Sequence, residues 1–148
     1  MEPKLNTINK RSAEMEDIKI NVKFKISALW IAMLFVFAYV DIFAFYRPGI
    51  IEGIMAGKVA AFQIDQVFLF LTTLYITIPS IMVFLSLVLK PVINRWANII
   101  VGILYIVSIL LSLIGEVWFF IFGSIVESLL LSLIVWYAWK WPKREDYL

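Results

Sequence analysis

Four long apolar stretches constrain most strongly what this chain can fold into. A bilayer core of about 30 Å is crossed by roughly 20 predominantly apolar helical residues. Each stretch has about this length, and none alternates in the way that a strand of an outer-membrane barrel does. Since lipid offers no partners to free backbone groups, helices are the structure that satisfies such segments. We therefore predict four transmembrane helices, at about 26–46, 67–89, 97–114 and 118–139.

The composition excludes the main soluble classes. Of the 148 residues, 63% are hydrophobic and 16% are charged, and the mean hydropathy is +0.93. A typical soluble domain is roughly 45–50% apolar and about 25% charged. The absence of Cys and His excludes disulfides, thiol chemistry, His-ligated haem and the usual zinc sites. The sequence predicts an all-α, polytopic integral membrane protein with a four-helix bundle, and it suggests no metal or cofactor.

Basic residues are distributed unevenly along the chain and predict its orientation. Of the 13 Lys and Arg, six lie in a polar N-terminal segment (1–25), two follow the second predicted helix, and three lie in the tail (140–148). The loop at 47–66 holds the other two, Arg47 and Lys58. Because cytoplasmic loops carry the excess of Lys and Arg, we expect both termini of the transmembrane domain (26–139) to be cytoplasmic. The basic N-terminal segment indicates attraction to anionic lipid headgroups rather than to nucleic acid.

The outer loop at 47–66 contains a further helical pattern. Pro48 and Gly49 are expected to end the first helix. After them, apolar residues at helical spacing predict a short amphipathic helix on the outer face, suited to act as a lid: Ile50, Ile51, Ile54 and Met55.

Two acidic residues lie inside the predicted spans, where ionisable side chains are costly and face protein or water rather than lipid. Glu127 is near the midpoint of the fourth helix, and Asp41 is about 7–8 Å from the outer end of the first. If these helices are neighbours, both carboxyl groups line one cavity that opens outward. Because the predicted spans contain no Lys or Arg, we expect Glu127 to be protonated or paired with something outside the chain. A proton, a metal cation or an organic cation fits equally well.

Other polar residues in the spans fit either a site or close helix packing. Pro79 is expected to kink the second helix and to free the carbonyl of Tyr75. That carbonyl either binds a cation or accepts a hydrogen bond from a neighbouring hydroxyl. Small and hydroxyl residues at helical spacing also serve packing without any ligand. No catalytic residues are predicted, and our candidates for proton, cation or ligand binding are Glu127, Asp41, Tyr105, Asn98, Ser124, Ser128 and Thr77.

Several strings of residues resemble a family of small bacterial inner-membrane proteins of unknown function. They are KISALW, YRPGIIEGIMAG, IPSIMVFLSLVLKP, NRWANIIVGILY and WYAWKWP. The resemblance extends from about Asn21 to Pro142. It implies a four-helix fold in the bacterial inner membrane, and it implies no activity and no site residues.

Three functions remain open at this point. We favour a small transporter or ligand-binding membrane protein in which Glu127 and Asp41 exchange protons or bind a cationic or amphiphilic ligand. Because one copy offers little room for a solute path, we expect a homo-oligomer in the lipid bilayer. The alternative is an accessory or scaffolding subunit without its own chemistry. An enzyme acting on lipid or quinone is the third, and it is the least favoured because its chemistry would depend on the two acids alone.

Overall fold

The computed structural model describes residues 19–142 and consists mainly of helices. Four of them are long and apolar enough to cross a membrane, as predicted. A short helix and a two-stranded antiparallel hairpin lie between the first two long helices. In chain order the elements are α1 (Val22–Ala44), α2 (Ile50–Met55), β1 (Lys58–Val59), β2 (Phe62–Gln63), α3 (Gln66–Val88), α4 (Pro91–Ser112) and α5 (Trp118–Trp139). The all-α class is therefore confirmed, and the four helices are consistent with the predicted membrane protein.

The four long helices form a bundle in which α1 and α5 share the most extensive contact. α1 also packs against α3, and α5 packs against α4, whereas α3 and α4 make the smallest contact of these four neighbouring pairs. Successive long helices are antiparallel: the start of α1 meets the end of α3 through Lys23, and short connections reverse the chain between α3 and α4 and between α4 and α5. We call the half of the bundle that contains Val22, Val88, Pro91 and Trp139 the termini half. The opposite half, called the loop half, contains Ala44, Gln66, Ser112 and Trp118.

Local capping explains where the helices begin. The side chain of Asn21 accepts a hydrogen bond from the backbone N–H of Lys23 at the start of α1. Pro91 occupies the first turn of α4, where its missing N–H has no consequence. Both helices therefore start before the predicted positions 26 and 97. The predictions followed continuous apolar runs, which Lys23 and Lys25 interrupt in α1 and Asn94 and Arg95 interrupt in α4.

Lys23 links the beginning of α1 to the end of α3. Its Nζ donates hydrogen bonds to the carbonyls of Leu87 at 3.0 Å and Leu89 at 2.8 Å. Carbonyls in the last turn of a helix have no partner in that helix, so a lysine from a neighbouring helix stabilises the end. The last part of the predicted segment 1–25 is thus structural. Residues 1–18 of that segment and residues 143–148 of the predicted tail lie outside the described residues.

The loop between α1 and α3 is more structured than its sequence predicts. α2 coincides with the predicted short helix and begins after Gly49, whose φ of +81° is in the left-handed region. The β1–β2 hairpin was not predicted, because strands of two residues leave no recognisable pattern. Asp65 then caps α3 by accepting a hydrogen bond from the N–H of Phe68 at 2.7 Å.

Candidate functional site

A cavity of about 720 Å³ lies in the loop half of the bundle. All four long helices contribute to its wall, and the β1–β2 hairpin contributes Phe62 and Gln63. The cavity occupies the region where α3 and α4 are least in contact, with α1 and α5 completing the wall. Its volume is within the range of roughly 300–1,000 Å³ that is typical of small-molecule sites.

The two acids of the transmembrane helices, Asp41 and Glu127, both line this cavity. Only 3% of the Glu127 surface is exposed, whereas Asp41 is an exposed residue of the wall. Within residues 19–142, neither carboxyl group accepts a hydrogen bond or pairs with a basic side chain. Both acids therefore keep their capacity to bind a proton, a cation or a hydrogen-bond donor from the cavity.

Gly123 explains how α1 and α5 bring these acids to the same place. A Cβ atom on Gly123 would lie 2.3 Å from Cγ2 of Val40, which is too close for real atoms. The absence of a side chain therefore allows α5 to approach α1 at this level. Asp41 follows Val40 directly, and Glu127 lies about one helical turn after Gly123. The close contact thus sets the spacing between the two carboxyl groups.

The predicted serines of α5 occupy different environments. Ser124 lines the cavity and is only 2% exposed. In the described part of the chain its hydroxyl makes no hydrogen bond. Ser128 is not part of the cavity wall, and its buried Oγ finds no partner among the described residues. Ser124 is therefore available to a ligand in the cavity, whereas Ser128 is not.

Tyr105 acts on the backbone next to Pro79. Pro79 lies inside α3 and has no N–H to donate to the carbonyl of Tyr75. The hydroxyl of Tyr105 donates a hydrogen bond to this carbonyl. The hydroxyl of Tyr75, which lines the cavity, shares a hydrogen bond of 2.7 Å with Ser108. Two alternatives were predicted for the freed carbonyl, cation binding or a hydrogen bond from a neighbouring hydroxyl. The structure shows the hydrogen bond.

Asn98 and Thr77 lie away from the cavity. Asn98 belongs to a buried cluster in the termini half, where its Oδ1 accepts hydrogen bonds from Nε1 of Trp30 at 2.7 Å and Oγ of Ser86 at 3.2 Å. Its Nδ2 donates to the carbonyl and Oδ1 of Asn94 at 2.8 and 2.7 Å. Thr77 is exposed and donates only to a carbonyl of its own helix. The structure does not bring these two candidates together with the acids.

Comparison with known proteins identifies the family. The model of DUF6326, a family of unknown function, matches residues 15–147. The chain belongs to DUF6326. The predicted membership of a family of unknown function is therefore confirmed. No curated protein and no solved structure matches the chain.

Several residues of the site in this DUF6326 protein were missed by the sequence analysis. The aromatic part of the wall comes from Phe37, Phe62, Phe68 and Phe120. Apolar residues carry no distinguishing signal in a membrane helix, so nothing in the sequence sets them apart. An ion pair between Nη1 of Arg47 and Oε2 of Glu116, 2.8 Å apart, was also missed. It connects the loop after α1 to the α4–α5 connection. It also neutralises the charge of a basic side chain near the cavity.

The acids of the cavity do not form a typical metal centre. Within residues 19–142 there is no group of three or more His, Cys, Asp or Glu side chains able to hold a metal ion. The carboxyl groups of Asp41 and Glu127 and the Ser124 hydroxyl provide fewer ligands than the six to eight oxygens typical of calcium sites, and Asp65 already caps α3. The arrangement is better suited to protons or to a cation that is only partly coordinated by the protein.

Proposed function

We propose that this protein binds a small cation or cationic ligand in the loop-half cavity and transports it, with Glu127 and Asp41 exchanging the ligand for protons. The observation that carries the proposal is Glu127, which is 3% exposed, has no partner among the described residues and lines a cavity. A buried carboxyl group without a partner is costly, and such groups in membranes mark ion, proton or substrate pathways.

We also propose that the protein lies in a bacterial inner membrane with both termini in the cytoplasm. The basic residues of the described helix ends support this orientation. Six of them are at the termini half: Lys19, Lys23, Lys25, Lys90, Arg95 and Lys140. Arg47 and Lys58 are at the other end. Under the positive-inside rule the loop half then faces the outside, and the cavity takes up or releases its ligand there.

A second copy would complete a path through the membrane. The cavity is confined to the loop half, and the termini half is filled by buried side chains such as Trp30, Leu131 and Ile134. Transport therefore requires either rearrangement of this core or an interface with another subunit. This requirement supports a homo-oligomer.

Infrared difference spectroscopy of the purified protein in bilayers tests the proposal. A pH titration is expected to show a carboxyl C=O band that appears and disappears with pH and is absent from Glu127→Gln. The matched control is Glu52→Gln, which removes an exposed carboxyl group of α2 outside the cavity wall and should keep the band. If Glu127 contributes no band that changes with pH, it is a sealed structural acid, and the proposal is wrong in favour of an accessory subunit.

A further inference from the structure

The wall of the cavity is mainly aromatic and apolar apart from its acidic patch. Phe37, Phe62, Phe68 and Phe120 come from α1, the hairpin, α3 and α5, so aromatic rings surround the space on several sides. Aromatic ring faces attract cations, and the attraction increases when water is excluded. A proton or a small hydrated ion needs no such wall. A ligand with its own apolar groups would bury them against these rings.

The charges around the cavity favour one sign of ligand. Asp41 and Glu127 are acidic, and Asp65 at the start of α3 also lines the cavity. Among the described residues, no Lys or Arg contributes to the wall. Arg47, which is in the adjacent loop, is paired with Glu116. A cationic ligand would therefore meet no competing positive side chain, whereas an anion would meet three carboxyl groups and no basic side chain, with only neutral donors such as Ser124 and Gln63 to bind it.

The position of the cavity in the bundle favours a ligand that dissolves in the membrane. Its wall includes residues at the loop end of α3, such as Val67 and Leu71, whose side chains are largely exposed. The contact between α3 and α4 is the smallest of the four contacts between neighbouring long helices. A ligand in the lipid would reach the acids by moving between these two helices, without crossing the tightly packed α1–α5 contact.

We infer that the cavity binds a lipophilic organic cation, whose charge lies beside Asp41 and Glu127 and whose apolar groups lie against the phenylalanines. The inference rests on the proposed function and names its substrate class. The unpartnered carboxyl of Glu127, the aromatic wall and the lack of basic residues in the described wall all lead to the same ligand chemistry.

Two ions of matched shape and opposite charge test this inference. Equilibrium binding of tetraphenylphosphonium and of tetraphenylborate is measured on the full chain in phosphatidylcholine nanodiscs, with empty nanodiscs subtracted. We expect saturable binding of the phosphonium ion only. Glu127→Gln should weaken that binding at least tenfold, and Glu52→Gln should leave it unchanged. If Glu127→Gln gives too little folded protein, Asp41→Asn provides the same comparison at an exposed wall position.

The outcomes separate the substrate class from the proposed function. If both ions bind equally, or if neither cavity variant weakens phosphonium binding, the inference that the cavity recognises the charge of its ligand is wrong. If the phosphonium ion does not bind at all, the substrate class is also wrong. In that case a carboxyl band of Glu127 that still changes with pH leaves the proposed proton or cation exchange standing. If the phosphonium ion does not bind and Glu127 also contributes no carboxyl band that changes with pH, then both the substrate class and the proposed exchange function are wrong.

Discussion

The two halves of the bundle treat buried polar side chains in opposite ways. In the termini half, Asn98 makes four hydrogen bonds that involve Trp30, Ser86 and Asn94. In the loop half, Glu127 and Ser124 are equally buried and make none with the described residues. Buried polar residues thus hold the fold together in one half of the bundle and are left available to a ligand in the other.

The lipid environment gives this difference a physical meaning. A buried polar group in hydrocarbon has no water to bond with, so it must find a protein partner or remain at a cost. The cluster around Asn98 meets this requirement and should contribute to stability. Glu127 does not meet this requirement, and a ligand or a proton from the cavity would compensate for the missing protein partner. The comparison therefore predicts large stability effects in the termini half and small ones for the acids.

The largest effect is expected for Asn98→Ala. The substitution leaves Nε1 of Trp30 without its acceptor and removes both donors to Asn94. Hydrogen bonds between membrane helices are worth about 0.6 kcal/mol on average, and a buried unpartnered donor costs more. We expect the free energy of unfolding to fall by about 2–3 kcal/mol, measured by circular dichroism during denaturation in mixed micelles.

Thr77→Val is the matched control for Asn98→Ala. The Thr77 hydroxyl is exposed and donates only within α3, so its loss should change the free energy of unfolding by less than about 0.5 kcal/mol. Equal effects of the two substitutions would show that the buried cluster does not stabilise the termini half.

The next largest effect is expected where α5 meets α1, for Gly123→Ala. The new Cβ would be 2.3 Å from Cγ2 of Val40, a branched side chain with little freedom to move. Overpacking of this kind costs about 1–3 kcal/mol, and better helix propensity returns part of it. We expect a net loss of about 1–2 kcal/mol, together with weaker phosphonium binding because the two acids separate.

Two further variants check that explanation. Adding Val40→Ala to Gly123→Ala should restore most of the lost stability, since it removes the atoms in conflict. Gly102→Ala should cost less than Gly123→Ala, because its Cβ would be 2.8 Å from Cγ2 of Val135. A Gly102 variant more damaging than the Gly123 variant would contradict the assignment of the closest contact to α1 and α5.

The spans were predictable because their apolar content is a local property of the sequence. The start of α4 was not, since Asn94 and Arg95 in its first turns are polar in sequence. Only the folded bundle shows that Asn94 is buried and bonded to the carbonyl of Ser86. The β1–β2 hairpin escaped prediction because its strands have two residues each.

The site was predictable where a residue is chemically unusual for a membrane helix. Asp41 and Glu127 met that condition, and they line the cavity together with Ser124. Phe37 did not, because nothing in the sequence distinguishes it from Phe35, which is 61% exposed on the same helix. Asn98 shows the opposite failure. Like the acids, it is a polar residue within a predicted apolar span. Only the arrangement of the helices reveals that all its hydrogen-bond partners are residues of the bundle itself.

A smaller effect is expected at the boundary between the two halves, for Tyr105→Phe. The loss of the hydroxyl leaves the Tyr75 carbonyl without the donor that replaces the missing N–H of Pro79. We expect the free energy of unfolding to fall by about 0.5–1 kcal/mol. In a Pro79→Ala background the helix supplies its own N–H, so the same substitution should cost less. An undiminished cost in that background would mean that Tyr105 acts through its ring packing instead.

The smallest effect is expected for Glu127→Gln, which should change the free energy of unfolding by no more than about 0.5 kcal/mol. The carboxyl group has no hydrogen bond or ion pair within residues 19–142 to lose, and an amide has the same shape. Asn98→Asp is the mirror control, because it exchanges the same two groups in the opposite direction and removes the donors to Asn94. It should therefore destabilise the protein by at least 1 kcal/mol. A Glu127→Gln variant as unstable as Asn98→Asp would mean that the carboxyl group supports the fold, and the two halves would no longer differ.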